Sequence, residues 1–178
     1  MKRAELERLL PEVLQRAAQA DQPLGAALDV MAELITPLET ALAQVDAVFD
    51  PHRTPDAFVP FLATWLDLDG LLRPGPLEQQ YPAGLGQLRR LIARTMPLNL
   101  LRGTAQGLTE LLETATGVEG FGVRENVTAG GQHRAFHLLV LAPAAAAPVS
   151  ELVSQLCEME KPVALTHEIV WNAPGGAL

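Results

Sequence analysis

The side chains that could carry nucleophilic or metal chemistry in this chain are few: four histidines, a single cysteine and scattered serines and carboxylates. His133 and His137 are four residues apart, a spacing that suits a metal ion on a helix. They fall instead in a segment that reads as a strand, where about 3.3 Å per residue separates them by about 13 Å, and no third ligand lies nearby in the chain. Ser150 and Ser154 have no glycine elbow, and Cys157 has no evident histidine and asparagine partners. Cys157 shares its spacing with Leu152, Val153 and Leu156, which makes it a packed small hydrophobe. Asp67 and Asp69 resemble a carboxylate pair, but at a helix end before Gly70 they are expected in solvent. Gly84-Leu85-Gly86 lacks the third glycine and the preceding strand of a dinucleotide fingerprint. Asn126-Val127-Thr128 is a glycosylation sequon by pattern, with no export signal beside it. Trp65 could stack on a ligand, yet it lies on one stripe with Phe58, Phe61, Leu62 and Leu66 and is expected in a core. These residues predict no enzyme, no metal and no cofactor.

Composition narrows the class further. At 178 residues and 48% hydrophobic content, the chain can bury a core without a staple. Few aromatics and many Ala and Leu residues favour helices. One cysteine cannot form an internal disulfide. A net charge of −8 argues against binding a phosphate backbone. Five arginines stand between Arg73 and Arg102 against Glu78 alone, which reads as an internal or partner-facing charge match rather than a nucleic-acid patch. No run of eighteen apolar residues exists, and the opening MKRAELERLLPEVLQ breaks its apolar run, so neither a membrane span nor a signal peptide is expected.

The elements that must position these residues begin with a helix pattern over Ala4–Ala20, on which Leu6, Leu10, Val13 and Ala17 form a stripe. Asp21-Gln22-Pro23 is the expected break, with Asp21 as cap. Leu24, Leu28, Met31, Ile35, Leu38, Leu42, Val45 and Phe49 then recur at alternating steps of four and three, the a/d spacing of a coiled-coil seam. Such a helix would run about 39 Å at 1.5 Å per residue, and a seam that narrow requires partner helices. Either the first helix folds back on it as a hairpin or another protein supplies them. Pro37 predicts a kink or a split near Thr36. Residues 1–50 thus form a helical, bundle-forming arm.

Residues 51–118 read as a central helical domain. Thr54-Pro55-Asp56 has the make-up of a helix start, with a hydroxyl cap, proline and an early carboxylate. Leu71 to Gly84, rich in Pro and Gly, reads as a loop. Leu85, Leu88, Leu91, Ile92 and Thr95 mark an amphipathic helix with Arg89, Arg90 and Arg94 on its other face. Arg102-Gly103-Thr104 is the corner of a helical hairpin: Gly103 can take the left-handed conformation that closes a helix, and the Thr104 hydroxyl can cap the next. That next helix turns Ala105, Leu108, Leu111, Leu112 and Ala115 inward and stops at Gly117.

After Gly117 the period falls to two. Phe121 to Val127 and Ala135 to Leu141 read as strands around a turn at Thr128–Gln132, Pro148–Glu160 as a helix, and Pro162–Trp171 as a third strand. Residues 119–171 therefore form a small ββαβ module, with 172–178 as a loose tail. The fold class is α+β, mainly helical.

Several of these motifs, in order, are similar to those of the phage tail protein I family. PLETALAQVDAVFDPHRTPDAFVPFLATWLDLDG resembles its F-D-P, T-P-x-x-F-x-P and W-L segment, LRRLIARTMPLNLLRGTAQGLTELLETATGV its arginine-bearing helix and R-G-T corner, and EKPVALTHEIVW its E-K-P-A-H-T strand. Met96-Pro97-Leu98-Asn99 and Val163-Ala164-Leu165 depart from the family pattern. The resemblance implies a structural baseplate wedge component of a contractile tail or injection machine. Its helices would join those of two copies of a larger wedge protein, among other baseplate and sheath-proximal components. It would be assembled in the bacterial cytoplasm and reside in the baseplate of a tail-like particle. A soluble adaptor or chaperone that binds one partner helix is the alternative.

Overall fold

A computed structural model describes residues 3–19 and 22–172 of the chain. It divides into two compact units, Met1–Phe49 and Asp50–Leu178. The Asp21 cap and the tail from residue 173 onward lie outside the described residues.

The first unit is all helical, with α1 (Arg3–Leu9), α2 (Glu12–Gln15), α3 (Pro23–Ala43) and α4 (Val45–Phe49). The single helix expected over Ala4–Ala20 is broken at Pro11, because proline has no N–H to continue the ladder and restricts Leu10 before it. Arg3 ties α1 to α3. Its guanidinium donates to the Asp29 carboxylate at 3.0 Å, to Glu7 at 2.8 Å and to the Ala18 carbonyl. Ala18 and Leu28 are buried there. Pro23 sits in the first turn of α3, after Gln22, which makes no side-chain cap.

The split expected near Thr36 does not occur. α3 continues through Pro37 to Ala43, and the break comes at Gln44, whose backbone leaves the helical region (φ −112°, ψ 13°) before α4 begins. Pro37 deprives only the Glu33 carbonyl of its helical donor, and Glu33 is exposed, so water can serve that carbonyl.

In the second unit, Asp50 to Thr54 forms a turn in which the Thr54 N–H donates to the Asp50 carbonyl at 2.9 Å. The expected hydroxyl cap is absent: Thr54 Oγ1 is buried without a hydrogen-bond partner, and a short 3-10 turn (Asp56–Phe58) leads into α5 (Val59–Trp65). α5 closes at Asp67, not at Gly70. Asp67 has φ +60°, its N–H bonds the Thr64 carbonyl and the Leu68 N–H bonds the Ala63 carbonyl, the double closure of a left-handed helix end. The Pro- and Gly-rich loop that follows contains a buried anchor, Tyr81, 2% exposed.

α6 (Leu85–Asn99) and α7 (Ala105–Thr116) form the hairpin. α6 buries Leu88, Leu91, Ile92, Thr95 and Leu98, and α7 buries Leu108, Leu111, Leu112 and Ala115, ending at Gly117 in the left-handed conformation. The last carbonyls of α7 lack helical donors and take them from outside the helix. Tyr81 Oη donates to the Ala115 carbonyl at 2.9 Å, and Gln87 Nε2 donates to that of Thr114.

β1 (Gly122–Val127), β2 (His133–Pro143), α8 (Ser150–Glu160) and β3 (Thr166–Asn172) complete the unit. The sheet order is β1-β2-β3, with β1 antiparallel to β2 and β3 parallel to it, so α8 is the crossover that parallel pairing requires. The third strand starts at Thr166 rather than Pro162, because Leu165 N–H bonds the Pro162 carbonyl in a turn that leaves Val163 fully exposed. The β1–β2 register slips between Glu125 and Val127. Asn126 and Phe136 both take φ +58° there, and Phe136 N–H donates to Asn126 Oδ1 at 3.0 Å. The hairpin and the sheet module share one core. Leu62, Leu88, Leu91 and Leu112 from the helices join Val140, Leu152, Val153 and Leu156 from β2 and α8.

Candidate docking surfaces of the arm and the hairpin corner

The eight seam residues divide by burial. Leu28 is 4% exposed, and Leu24 and Ile35 are half-buried. Met31, Leu38, Leu42, Val45 and Phe49 are exposed, Leu38 at 64% and Leu42 at 71%. The N-terminal end of the seam is thus covered within the arm, where Arg3 clamps α1 to α3, and the remainder faces outward. Two exposed residues escaped the heptad pattern. Val30 and Leu34 stand beside Met31 and Leu38 at helical spacing of four, and they widen the row into a face. Their i, i+4 spacing was visible in the sequence, but the a/d template excluded them.

At the corner, α6 ends at Asn99, and Gly103 lies in the turn that follows rather than closing the helix. It has φ +80°, and the Thr104 N–H donates to the Leu101 carbonyl at 3.1 Å. Thr104 caps α7, its hydroxyl accepting from Gly107 N–H at 2.9 Å. Gly107 is buried, and a Cβ there would sit 2.1 Å from the Leu101 carbonyl oxygen, so the turn folds directly onto its helix. Beside the turn lies a cleft of about 150 Å³, floored by Leu98, Leu108, Leu111, Leu138 and Leu156 and rimmed by Arg102, Glu160 and Lys161. It offers apolar surface together with charged side chains, among them Asp67, Glu125 and the Arg102–Glu160 pair.

The arginine-rich stretch is largely matched inside the second unit. Arg73 pairs with Glu151, Arg89 with Asp56, Arg94 with Glu110 at 3.5 Å and Arg102 with Glu160 at 3.1 Å. Arg89, expected on an outer face, is only 15% exposed and also donates to the carbonyls of Pro51 and of Thr54, the latter at 2.8 Å, so it fastens the 50–56 turn to α6.

The residues first considered for chemistry are not brought together. His137 is buried, its Nδ1 2.7 Å from Thr166 Oγ1 and its Nε2 3.4 Å from Glu168, whereas His133 is exposed. Among the described residues no group of three His, Cys, Asp or Glu side chains could hold a metal ion. Cys157 is fully buried, and burial pushes its thiol up to about 12, away from the thiolate a nucleophile needs. The aromatic stripe of α5 departs from expectation. Phe58, Phe61 and Trp65 meet in sequence with tilted rings, their centroids 4.7 and 5.2 Å apart, but Phe61 and Trp65 are 45% and 61% exposed, because α5 turns Val59, Leu62 and Ala63 to the core.

Exposed apolar faces on helices are features of a protein that packs against others. A profile of the family described as Phage tail protein (Tail_P2_I) matches residues 17–164. The chain belongs to this phage tail protein family. The match includes α3, the α6–α7 corner and the first two strands of the sheet, so both candidate surfaces lie within the family's common region. No curated protein matches the chain. A tail protein works as a structural part of the tail, with other tail components as its partners. Among the described residues, no helix is long and apolar enough to cross a membrane.

Proposed function

We propose that this phage tail protein is a baseplate wedge component of a contractile tail or injection machine, and that its arm, residues 1–50, bundles with helices of a larger wedge protein present in two copies. The observation that carries this reading is the exposed apolar face of α3 and α4, from Val30 through Leu38 and Leu42 to Val45. A contiguous apolar face of this kind is costly in water and marks a binding surface. Bundling two further helices on it would complete the coiled-coil geometry that its spacing encodes. The corner Arg102-Gly103-Thr104 has a structural role in this reading, fixing the hairpin of the second unit, and the chain performs no catalysis.

Co-expression with the larger wedge protein of the same particle tests the proposal. Replacing Met31 and Leu42 with Glu should abolish co-purification, since each carboxylate would be desolvated without a partner in an apolar bundle. The variant should still fold, because both side chains are exposed in the chain alone. Retained co-purification of the folded variant would remove the arm from the interface. Binding without incorporation into the particle would favour an adaptor.

A further inference from the structure

The core of the second unit is left open at the cleft beside the hairpin corner. Leu98, Leu108, Leu111 and Leu138, which line it, keep 6–9% exposure, whereas Leu88, Leu91 and Leu112, which do not, keep none. Met159, 37% exposed, carries the apolar wall out to the surface. At about 150 Å³ the opening matches the size of an apolar cavity that takes up one benzene ring, so it has room for a single aromatic side chain.

Two carboxylates lining the same opening go against their local surroundings. Asp67 follows the last turn of α5, the negative end of the helix dipole, where a cation is favoured. Glu125 stands opposite Leu138 and two residues after Val123, on the side of the sheet that faces the core. Among the described residues neither carboxylate makes a hydrogen bond or an ion pair. The cations of the cleft are already engaged, Arg102 with Glu160 at 3.1 Å and Lys161 with Glu158 at 3.2 Å. Local rules are broken chiefly where function requires it, and here both breaks fall on one apolar opening.

We propose that the cleft receives one aromatic side chain of another tail component, from a segment that carries Lys or Arg beside that ring. The ring covers the leucine floor, and the neighbouring cation supplies the opposite charge that Asp67 and Glu125 lack. A buried aromatic anchor concentrates binding energy in one pocket, and complementary charge at its rim selects the partner. The site belongs to the second unit and goes beyond the role proposed for the arm, so a failed co-purification through the arm leaves it standing.

Three capped peptides, Gly-Lys-Phe-Lys-Gly, Gly-Glu-Phe-Glu-Gly and Gly-Lys-Ala-Lys-Gly, probe the full-length chain, with leucine methyl NMR as the readout. The Lys-Phe-Lys peptide should shift the methyl resonances of Leu98, Leu108 and Leu111 and bind at least about tenfold more tightly than either of the others. Asp67→Asn combined with Glu125→Gln, both at exposed positions where the fold is kept, should bring the two Phe peptides within about twofold of each other. Equal binding of the two Phe peptides to the unsubstituted chain would overturn the proposal, because the rim would then select no charge. Equal binding of the Ala peptide would also overturn it, reducing the contact to general attraction towards an acidic chain. So would the absence of methyl shifts at the cleft. Dimerisation of the chain in sedimentation equilibrium, lost in the same double variant, would make a second copy the occupant and overturn it as well.

Discussion

The two units use the same residue types to opposite ends. In the second, leucines at helical spacing disappear into a shared core, with Leu88, Leu91 and Leu112 at 0% exposure. In the arm, Leu34, Leu38 and Leu42 recur just as regularly and stay 64–71% exposed. Periodicity therefore reports that a helix has an apolar face, and only the surrounding chain decides whether that face is a core or an interface.

The sharpest way to break this comparison is to truncate one leucine in each unit. Leu88→Ala should lower unfolding stability by about 3 kcal/mol, since it loses buried methyl groups and leaves a cavity. Leu38→Ala should stay within about 0.5 kcal/mol in the isolated chain. Chemical denaturation of the two variants measures both, and equal losses would mean that the arm has a covered core of its own.

Tyr81→Phe probes the second unit where its loop meets its hairpin. The phenol is buried and donates to an otherwise donorless helix-end carbonyl, so its loss should cost about 1–2 kcal/mol in the same denaturation measurement. Burial also raises the Tyr81 phenol above its ordinary 10.0 and the Cys157 thiol from 9.0 to about 12. Both folded values are raised, so the stability these neutral groups contribute is complete below about pH 9 and drains away as pH climbs towards 12. Melting temperatures at pH 8 and pH 11 should show that fall, and Tyr81→Phe should show a smaller one. Gly103→Val should cost about 1 kcal/mol or more. Nothing lies within 4 Å of a Cβ built there, so the penalty would come from the backbone at φ +80° alone. An unchanged melting temperature would show that the turn can relax to a negative φ.

Much of this contrast was legible in the sequence, and the parts that were not share a cause. The helical spacings of α3, α6, α7 and α8, the Thr104 cap and the ββαβ order all follow from local chemistry, and local chemistry is what a sequence displays. Tyr81 sat unseen in a loop rich in Pro and Gly, because its burial depends on the end of α7, 34 residues away. The aromatics Phe61 and Trp65 were expected inside, but α5 is short and its inward positions are taken by smaller residues. Pro37 looked like the break in the arm, yet a helix tolerates a missing donor where the orphaned carbonyl can reach water, and the chain left the helix at Gln44 instead. The partial cover over the seam required Arg3 to meet Asp29 across 26 residues, a pairing that no spacing rule announces.

The central claim is that the exposed face of the arm is covered in the assembled tail, and side-chain footprinting reads it most directly. Hydroxyl-radical oxidation of the isolated chain should label Met31, 51% exposed, together with Leu34, Leu38 and Leu42. The same treatment of intact particles, followed by mass spectrometry of the arm peptides, should find these four side chains strongly protected. Labelling of the four at the same rate in particle and isolated chain would contradict the account.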